Sequence, residues 1–112
     1  MLNPPPNTAK IRELNDQFRQ TFLSGDVLLT TGFQSLSEDL QTKAINAIQK
    51  FDNFTKDNDP YGEHDFGEII IDNQKVWFKI DYYGLDLQSG SSDPSNPAVT
   101  KRVLAIFLPE EY

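Results

Sequence analysis

The stretch of sequence that decides the fold lies between residues 66 and 83 and reads FGEIIIDNQKVWFKIDYY. Two runs rich in β-branched and aromatic residues, 66–71 and 75–83, flank a short polar segment, which predicts a β-hairpin with its turn at 72–74. Because side chains alternate along a strand, the second run has one apolar face, formed by Val76, Phe78, Ile80 and Tyr82. Its other face carries Lys75, Trp77, Lys79, Asp81 and Tyr83. The hairpin therefore predicts a sheet with one buried side.

Helical and extended patterns flank the hairpin. Before it, apolar residues at helical spacing predict a first helix that begins near Thr8 and a second that begins near Ser35 and ends at Phe51. Apolar runs at 27–31 and 100–108 predict two more strands. We therefore expect a single α+β domain, residues 7–112, with two helices packed on an antiparallel sheet of about four strands in the order αβαβββ. Residues 1–6 are rich in proline and predict a flexible tail.

The composition excludes several classes of protein. The chain has 112 residues, no cysteine, a net charge of −7 and a pI near 4.5. Without cysteine it can form neither disulfides nor cysteine-based zinc sites. Its acidity disfavours direct nucleic-acid binding, which depends on lysine and arginine, and no apolar run reaches the roughly 18 residues that cross a membrane. Since residues 1–6 do not resemble a signal peptide, we expect a cytoplasmic protein that binds neither membrane nor nucleic acid.

The negative charge is concentrated in residues 51–72. This segment holds seven carboxylates and one lysine, which account for six of the seven excess negative charges, and it holds His64, the only histidine. Crowded like charges destabilise a fold unless a cation, a hydrogen-bonded scaffold or a basic partner compensates them. The segment is therefore the predicted functional site.

One hypothesis for this segment is a divalent-cation site. Counting from Asp57, the sequence has Asp at positions one, three and nine, Gly at six and Glu at twelve, which is the spacing of an EF-hand loop. The candidate metal ligands are Asp57, Asp59, Asp65 and Glu68. The match is partial, because Tyr61 replaces the usual oxygen ligand at position five and a strand follows where an EF-hand has a helix.

A second hypothesis is catalytic. It makes His64 a general base beside Asp65 and, across the hairpin, Asp81, in a small hydrolase that depends on a metal or on histidine. The sequence contains no cysteine, no second histidine and no nucleophile elbow, so its pattern favours a protein that is not an enzyme and has no cofactor. A third hypothesis is structural: the polar residues form local turns, and His64 bonds a nearby carboxylate or carbonyl.

A binding surface is the fourth hypothesis. Aromatic residues beside carboxylates form contact surfaces, and the second strand of the hairpin ends close to the acidic segment. The predicted contact residues are Asp57, Asp59, Tyr61, Glu63, His64, Asp65, Asp81 and Tyr83. Their negative charge selects a basic protein surface as the partner. Trp77 is expected to be buried under a helix or under the connection at 86–97.

Several motifs stand out along the chain: FDNF at 51–54, DNDPYGEHDFG at 57–67, KIDYY at 79–83, RVL at 102–104 and EY at the end. Through them the chain resembles, from about residue 11 to 112, an uncharacterised family of small bacterial proteins found on plasmids and integrative elements, often near anti-restriction genes. This resemblance implies a mobile-element context rather than a mechanism. If that context applies to this chain, we expect a binding module that inhibits a host defence complex of nuclease or CRISPR type. Such a protein would present carboxylates where a nucleic-acid-binding partner expects phosphates.

Overall fold

The computed structural model describes residues 7–112, and the tail expected at residues 1–6 lies outside them. The α+β class predicted from the sequence is confirmed. The elements are α1 (Thr8–Thr21), β1 (Asp26–Leu29), α2 (Thr31–Gln34), α3 (Glu38–Gln49), β2 (Phe66–Ile71), β3 (Gln74–Tyr83), β4 (Lys101–Phe107) and a closing 3-10 turn (Pro109–Glu111). No helix within residues 7–112 is long and apolar enough to cross a membrane.

The sheet is mixed, so the prediction of a purely antiparallel sheet is wrong. Its strand order is β1-β4-β3-β2, and β1 runs parallel to β4, with Val27 opposite Leu104. The two other pairings are antiparallel. The sequence does not predict the direction of β1, because no hairpin connects β1 to its partner β4, which lies near the other end of the chain.

A short helix, α2, was missed, and the predicted order αβαβββ is therefore incomplete. The predicted strand at 27–31 ends at Leu29, since Thr30 turns out of it and its side-chain oxygen accepts a hydrogen bond from the Phe33 N–H. This is the geometry of a helix N-cap. Phe33, in this short helix, is fully buried in the core.

The hairpin is confirmed and its turn is tighter than expected. Ile71 pairs with Gln74, so only Asp72 and Asn73 form the loop. Both have positive φ, 50° and 67°, which is typical of the two-residue turns that match the twist of a hairpin. Asn and Asp tolerate this conformation better than most residues.

One hydrophobic core lies between the helices and one face of the sheet. It contains Phe18 from α1, Ile48 from α3 and the apolar face of β3 that the alternation predicted. The opposite face of the sheet, here called the open face, is formed by the alternate strand residues; no α-helix among residues 7–112 covers it, but Tyr112, which follows the closing 3-10 turn, packs on it. Trp77 lies on the open face, half-buried among aromatic side chains, so its predicted burial under a helix or under the 86–97 connection is wrong.

Candidate functional site

The acidic loop, residues 50–65, connects α3 to β2 without helix or strand. Connections longer than about 12–15 residues are uncommon in compact domains and are usually functional or disordered. This loop is ordered by contacts with distant parts of the chain. The loop is therefore as long as many functional loops, but its conformation is fixed by contacts with the rest of the fold.

Helix α1 holds the loop through three side chains on one helical face. Arg12 Nε donates to the carbonyl oxygen of Gly62 at 2.7 Å, Asn15 Nδ2 donates to that of Glu63 at 2.9 Å, and Arg19 Nη2 donates to that of Phe51 at 3.0 Å. Residues 12, 15 and 19 are spaced three and four apart, which aligns them along the helix. The loop is thus fastened to α1 at its start, residue 51, and near its end, residues 62 and 63.

Asn15 is the centre of a buried polar network. Its side chain is fully buried; Oδ1 accepts from Arg102 Nε at 2.8 Å, and Nδ2 also donates to the Tyr82 hydroxyl at 2.7 Å. Tyr82 in turn donates to a carboxylate oxygen of Glu63 at 2.7 Å. Burial, and then the hydrogen bond to Glu63, raise the pKa of Tyr82 well above its usual range, while burial lowers the pKa of Arg102. The network joins α1, β3 and β4 to the loop.

His64 is fixed on three sides. Its Nδ1 lies 2.8 Å from Asp16 Oδ1, its Nε2 lies 3.7 Å from Asp59 Oδ2, and its ring stacks on Phe54 with centroids 3.8 Å apart. The backbone of His64 is left-handed, with φ 58°. Asp59, whose side chain is only 4% exposed, stabilises this conformation because its Oδ1 accepts from the N–H groups of Glu63 and His64.

Four of the seven crowded carboxylates have a side-chain partner inside the molecule. Glu63 attracts Arg102, and Asp59 faces His64. Outside the loop, Glu68 accepts from Trp77 Nε1 at 2.6 Å, and Asp72 lies 3.4 Å from Lys43 Nζ. The two cations outside the segment, Arg102 and Lys43, come from parts of the chain that are distant in sequence, so the acidic segment alone did not reveal them.

Three exceptions remain among the seven carboxylates. Asp52 and Asp57 are exposed and belong to no ion pair within residues 7–112. Burial, followed by the negative charge of Glu63, raises the pKa of Asp65. The exposed charged side chains of the loop are therefore Asp52 and Asp57, together with the lysines at 50 and 56.

The structure divides seven of the eight predicted contact residues into three groups, and the eighth, Asp65, is half-buried directly before β2. Asp59, Glu63 and His64 face inward and hold the loop, whereas Asp57 and Tyr61 face solvent, with Tyr61 81% exposed. The third group, Asp81 and Tyr83, lies on the open face of the sheet, because Tyr82 between them points toward α1. Asp81 pairs there with Lys79 at 3.3 Å.

A cavity of about 330 Å³ lies beside His64. It is lined by Asp16, Arg19, Gln49, Phe51, Phe54 and His64, among others. The carboxylate bonded to His64 is Asp16 from α1, in place of the predicted Asp65 or Asp81. A general base needs a ring nitrogen that can reach substrate. Here both ring nitrogens face carboxylates, so the geometry suits positioning of the loop better than proton transfer.

The four candidate metal ligands do not converge. Within residues 7–112 no group of three His, Asp or Glu side chains is arranged to hold a metal ion. Asp59 points toward backbone amides, and Glu68 lies on the open face against Trp77. The EF-hand spacing of the sequence therefore does not correspond to a cation cage in the fold.

Sequence reasoning missed the residues that hold the site, namely Arg12, Asn15, Asp16, Arg19 and Arg102. Arg12, Asp16 and Arg19 lie outside the apolar stripe of α1, a position that favours exposure, yet Arg19 is 2% exposed. A signal was present, because residues 12, 15 and 19 form a polar stripe beside the apolar stripe of α1. Arg102, in contrast, gave no local signal.

Comparison with known proteins found one family. The model of a family described as "Protein of unknown function (DUF3768)" matches residues 29–111, which include the acidic loop and the three strands β2, β3 and β4. No curated protein and no solved structure matches the chain. The resemblance to an uncharacterised family is thus confirmed.

Proposed function

This chain belongs to the DUF3768 family of proteins of unknown function, and we propose that it is a non-enzymatic binding module that presents the acidic loop to a basic protein surface. The observation that carries the proposal is the fastening of an irregular loop by three side chains of α1. A binding loop fixed before it meets its partner loses less conformational entropy on association. Ordered loops on a rigid scaffold are also where binding residues concentrate.

Tyr61 supports the proposal as the anchor of the contact. It is 81% exposed, although it lies next to Gly62, whose carbonyl oxygen is bonded to Arg12. A rigidly presented aromatic side chain can bury a large area at little entropic cost, and tyrosine is enriched among the residues that dominate binding energy. The loop therefore offers one aromatic anchor on a fixed backbone.

The charge of the loop supports a basic partner. Asp52 and Asp57 are exposed and form no ion pair among residues 7–112, so a lysine or arginine of the partner can pair with them. These two carboxylates lie in sequence beside the exposed Lys50 and Lys56, so they offer two separate pairing points rather than an imitation of a phosphate backbone. A nucleic-acid-binding defence protein, the partner implied by the resemblance, would be recognised through part of its basic surface.

The test is selection from a displayed library of random peptides on the immobilised chain. We expect enrichment of peptides rich in lysine and arginine, with binding that weakens as salt rises because the contact is electrostatic. The double variant Asp57→Lys, Tyr61→Ala should lose these peptides. The matched control, Leu85→Ala with Asp86→Lys, changes one exposed apolar and one exposed acidic residue in another loop and should retain them. Equal retention by both variants would refute the proposal.

A further inference from the structure

Strand β2 lies at an edge of the sheet, and its outer side is unpaired. The strand order ends at β2, so no other strand among residues 7–112 lies beyond it. The Ile80 N–H donates to the carbonyl oxygen of Asp65 at 2.8 Å, which makes these two residues a hydrogen-bonded pair. Bonded pairs alternate along an antiparallel ladder, so the N–H and C=O groups of Phe66, Glu68 and Ile70 point away from β3. These backbone groups are therefore available to another chain.

The edge of β2 lacks most of the features by which proteins protect edge strands. It is six residues long, pairs regularly with β3 without a bulge, and contains no proline and no lysine. Glu68 is its only charged residue, and Ile70 is 59% exposed. The opposite edge, β1, has only four residues. Since a long, regular, apolar edge readily accepts another strand, β2 is the edge at which we expect pairing.

Glu68, near the middle of β2, determines which kind of strand can pair there. Its exposed side chain accepts from Trp77 Nε1 at 2.6 Å, but Trp77 carries no charge. By register, Lys75 and Lys79 on β3 are its diagonal neighbours, yet no ion pair within residues 7–112 includes Glu68. An incoming strand that carries lysine or arginine opposite Glu68 gains a cross-strand ion pair.

A second copy of this chain fits the same edge poorly. Two β2 strands related by a two-fold axis pair antiparallel, and the outward-facing residues of one lie opposite those of the other. The two registers with the longest overlap are centred on residues 68 and 69. They place the two Glu68 side chains directly opposite or diagonal to each other, and like charges so placed are destabilising. The charge of the edge therefore favours a basic strand over self-pairing.

We propose that β2 is a docking edge for an extended basic segment of a partner protein, which adds a fifth strand to the four-stranded sheet. In this mode main-chain hydrogen bonds supply affinity and alternate side chains supply specificity. Lysine or arginine on one side of the segment faces Glu68, and apolar residues on its other side lie beside Ile71. This site goes beyond the proposed function of the acidic loop, because neither Asp57 nor Tyr61 takes part.

The test is an NMR titration of the isotope-labelled chain with a synthetic hexapeptide of alternating lysine and valine. The amide signals of Phe66, Glu68 and Ile70 should move downfield as they gain hydrogen bonds, whereas the intervening amides of β2, already bonded to β3, should change little. The matched peptide of alternating glutamate and valine should not bind, because it places like charge opposite Glu68. Absence of this alternating pattern at millimolar peptide would overturn the proposal.

Ile70→Pro tests the edge from the side of the protein. It removes one outward N–H, and proline is tolerated on an edge strand where its N–H would face away from the sheet, so the variant should fold. We expect the dissociation constant of the lysine–valine peptide to rise at least about tenfold. The control, Ile70→Val, keeps the N–H and a β-branched side chain and should bind within about twofold of the parent. Unchanged binding by Ile70→Pro would refute strand addition.

Two N-methylated forms of the peptide test the same point without altering the protein. Hydrogen bonds along one side of a strand come from alternate residues, so methylating one alternate set of amides, the lysines or the valines, should abolish binding and methylating the other should not. Equal effects of both would count against strand addition. Shifts of the Glu68 and Ile70 amides that depend on protein concentration alone would also overturn the proposal, and would assign the edge to a second copy.

Discussion

The two long loops of this protein are both rich in Asp, Asn, Pro and Gly, but they are held in different ways. In the acidic loop, backbone carbonyls at 62 and 63 accept hydrogen bonds from side chains about fifty residues away on α1. In the second long connection, residues 84–100, most side-chain bonds are local: Asp86 accepts from the N–H of residue 88, Asp93 from that of 95 and Asn96 from that of 98. Asp, Asn, Pro and Gly therefore indicate a loop but not what holds it.

The difference has an energetic consequence. A loop made of local turns can open without disturbing the core, whereas a loop bonded to a helix and to two strands opens only if those contacts break. The acidic loop should therefore share the stability of the core, and the 84–100 loop should not. Substitutions in the two loops can test this contrast.

The largest effect is expected for Asn15→Ala. The substitution removes the side chain that accepts from Arg102 and donates to both Glu63 and Tyr82, leaving buried polar groups unpaired. We expect the free energy of unfolding to fall by about 3 kcal/mol, measured by urea denaturation. The matched change in the other loop, Asp93→Ala, removes local bonds to Ser95 and should cost about 1 kcal/mol or less. Equal losses would contradict the contrast.

Asp59→Ala should have the next largest effect. It removes the acceptor for the N–H groups of residues 63 and 64 and the carboxylate that faces His64 Nε2, so the free energy of unfolding should fall by about 2 kcal/mol. Asp57→Ala is the control, since Asp57 is exposed and should change stability by less than about 0.5 kcal/mol. A large effect at Asp57 would mean that the loop is held by other contacts.

Tyr82→Phe should change the response to alkaline pH. The pKa of Tyr82 is raised in the folded state above its ordinary value of 10.0, so at higher pH the unfolded chain releases this proton more readily than the folded chain. The folded state therefore loses stability as pH rises above about 10. Thermal unfolding across this range should show a weaker decline for Tyr82→Phe than for the parent. Parallel declines would show that Tyr82 is not buried as described.

The smallest effect is expected from calcium. Because Asp57, Asp59, Asp65 and Glu68 do not converge, millimolar Ca²⁺ should shift the melting temperature by no more than about 1 °C. Magnesium at the same concentration controls for ionic strength. A clear rise with Ca²⁺ alone would restore the EF-hand hypothesis for residues 57–68.

The sequence predicted the parts of the fold that depend on local pattern. Alternation along 75–83 identified Val76, Phe78 and Ile80 as core residues, and the polar turn identified the hairpin. The parallel pairing of β1 with β4 was not predictable in this way, because it depends on residues about eighty positions apart.

For the candidate site, the sequence located the acidic loop but did not predict that several of its charged side chains bond groups within the same molecule. The sequence predicted that Asp59, Glu63 and His64 contact a partner protein. In the fold, His64 bonds Asp16, Glu63 attracts Arg102, and Asp59 accepts from backbone N–H groups of the loop. The apolar side of a helix predicts which of its residues enter the core, and it gives no information on which polar residues hold a neighbouring loop. A buried arginine such as Arg19 is an exception that only the fold reveals.

Native-state hydrogen exchange of individual amides compares the two loops within one molecule. We expect the amides of Gly62, Glu63 and His64, all bonded to Asp59, to exchange only through openings within about 1 kcal/mol of global unfolding. Amides of residues 88, 95 and 98 in the 84–100 loop should exchange through much smaller openings. If residues 62–64 exchanged as fast as these, the acidic loop would not be fastened to the core, and its role as a preformed binding loop would be contradicted.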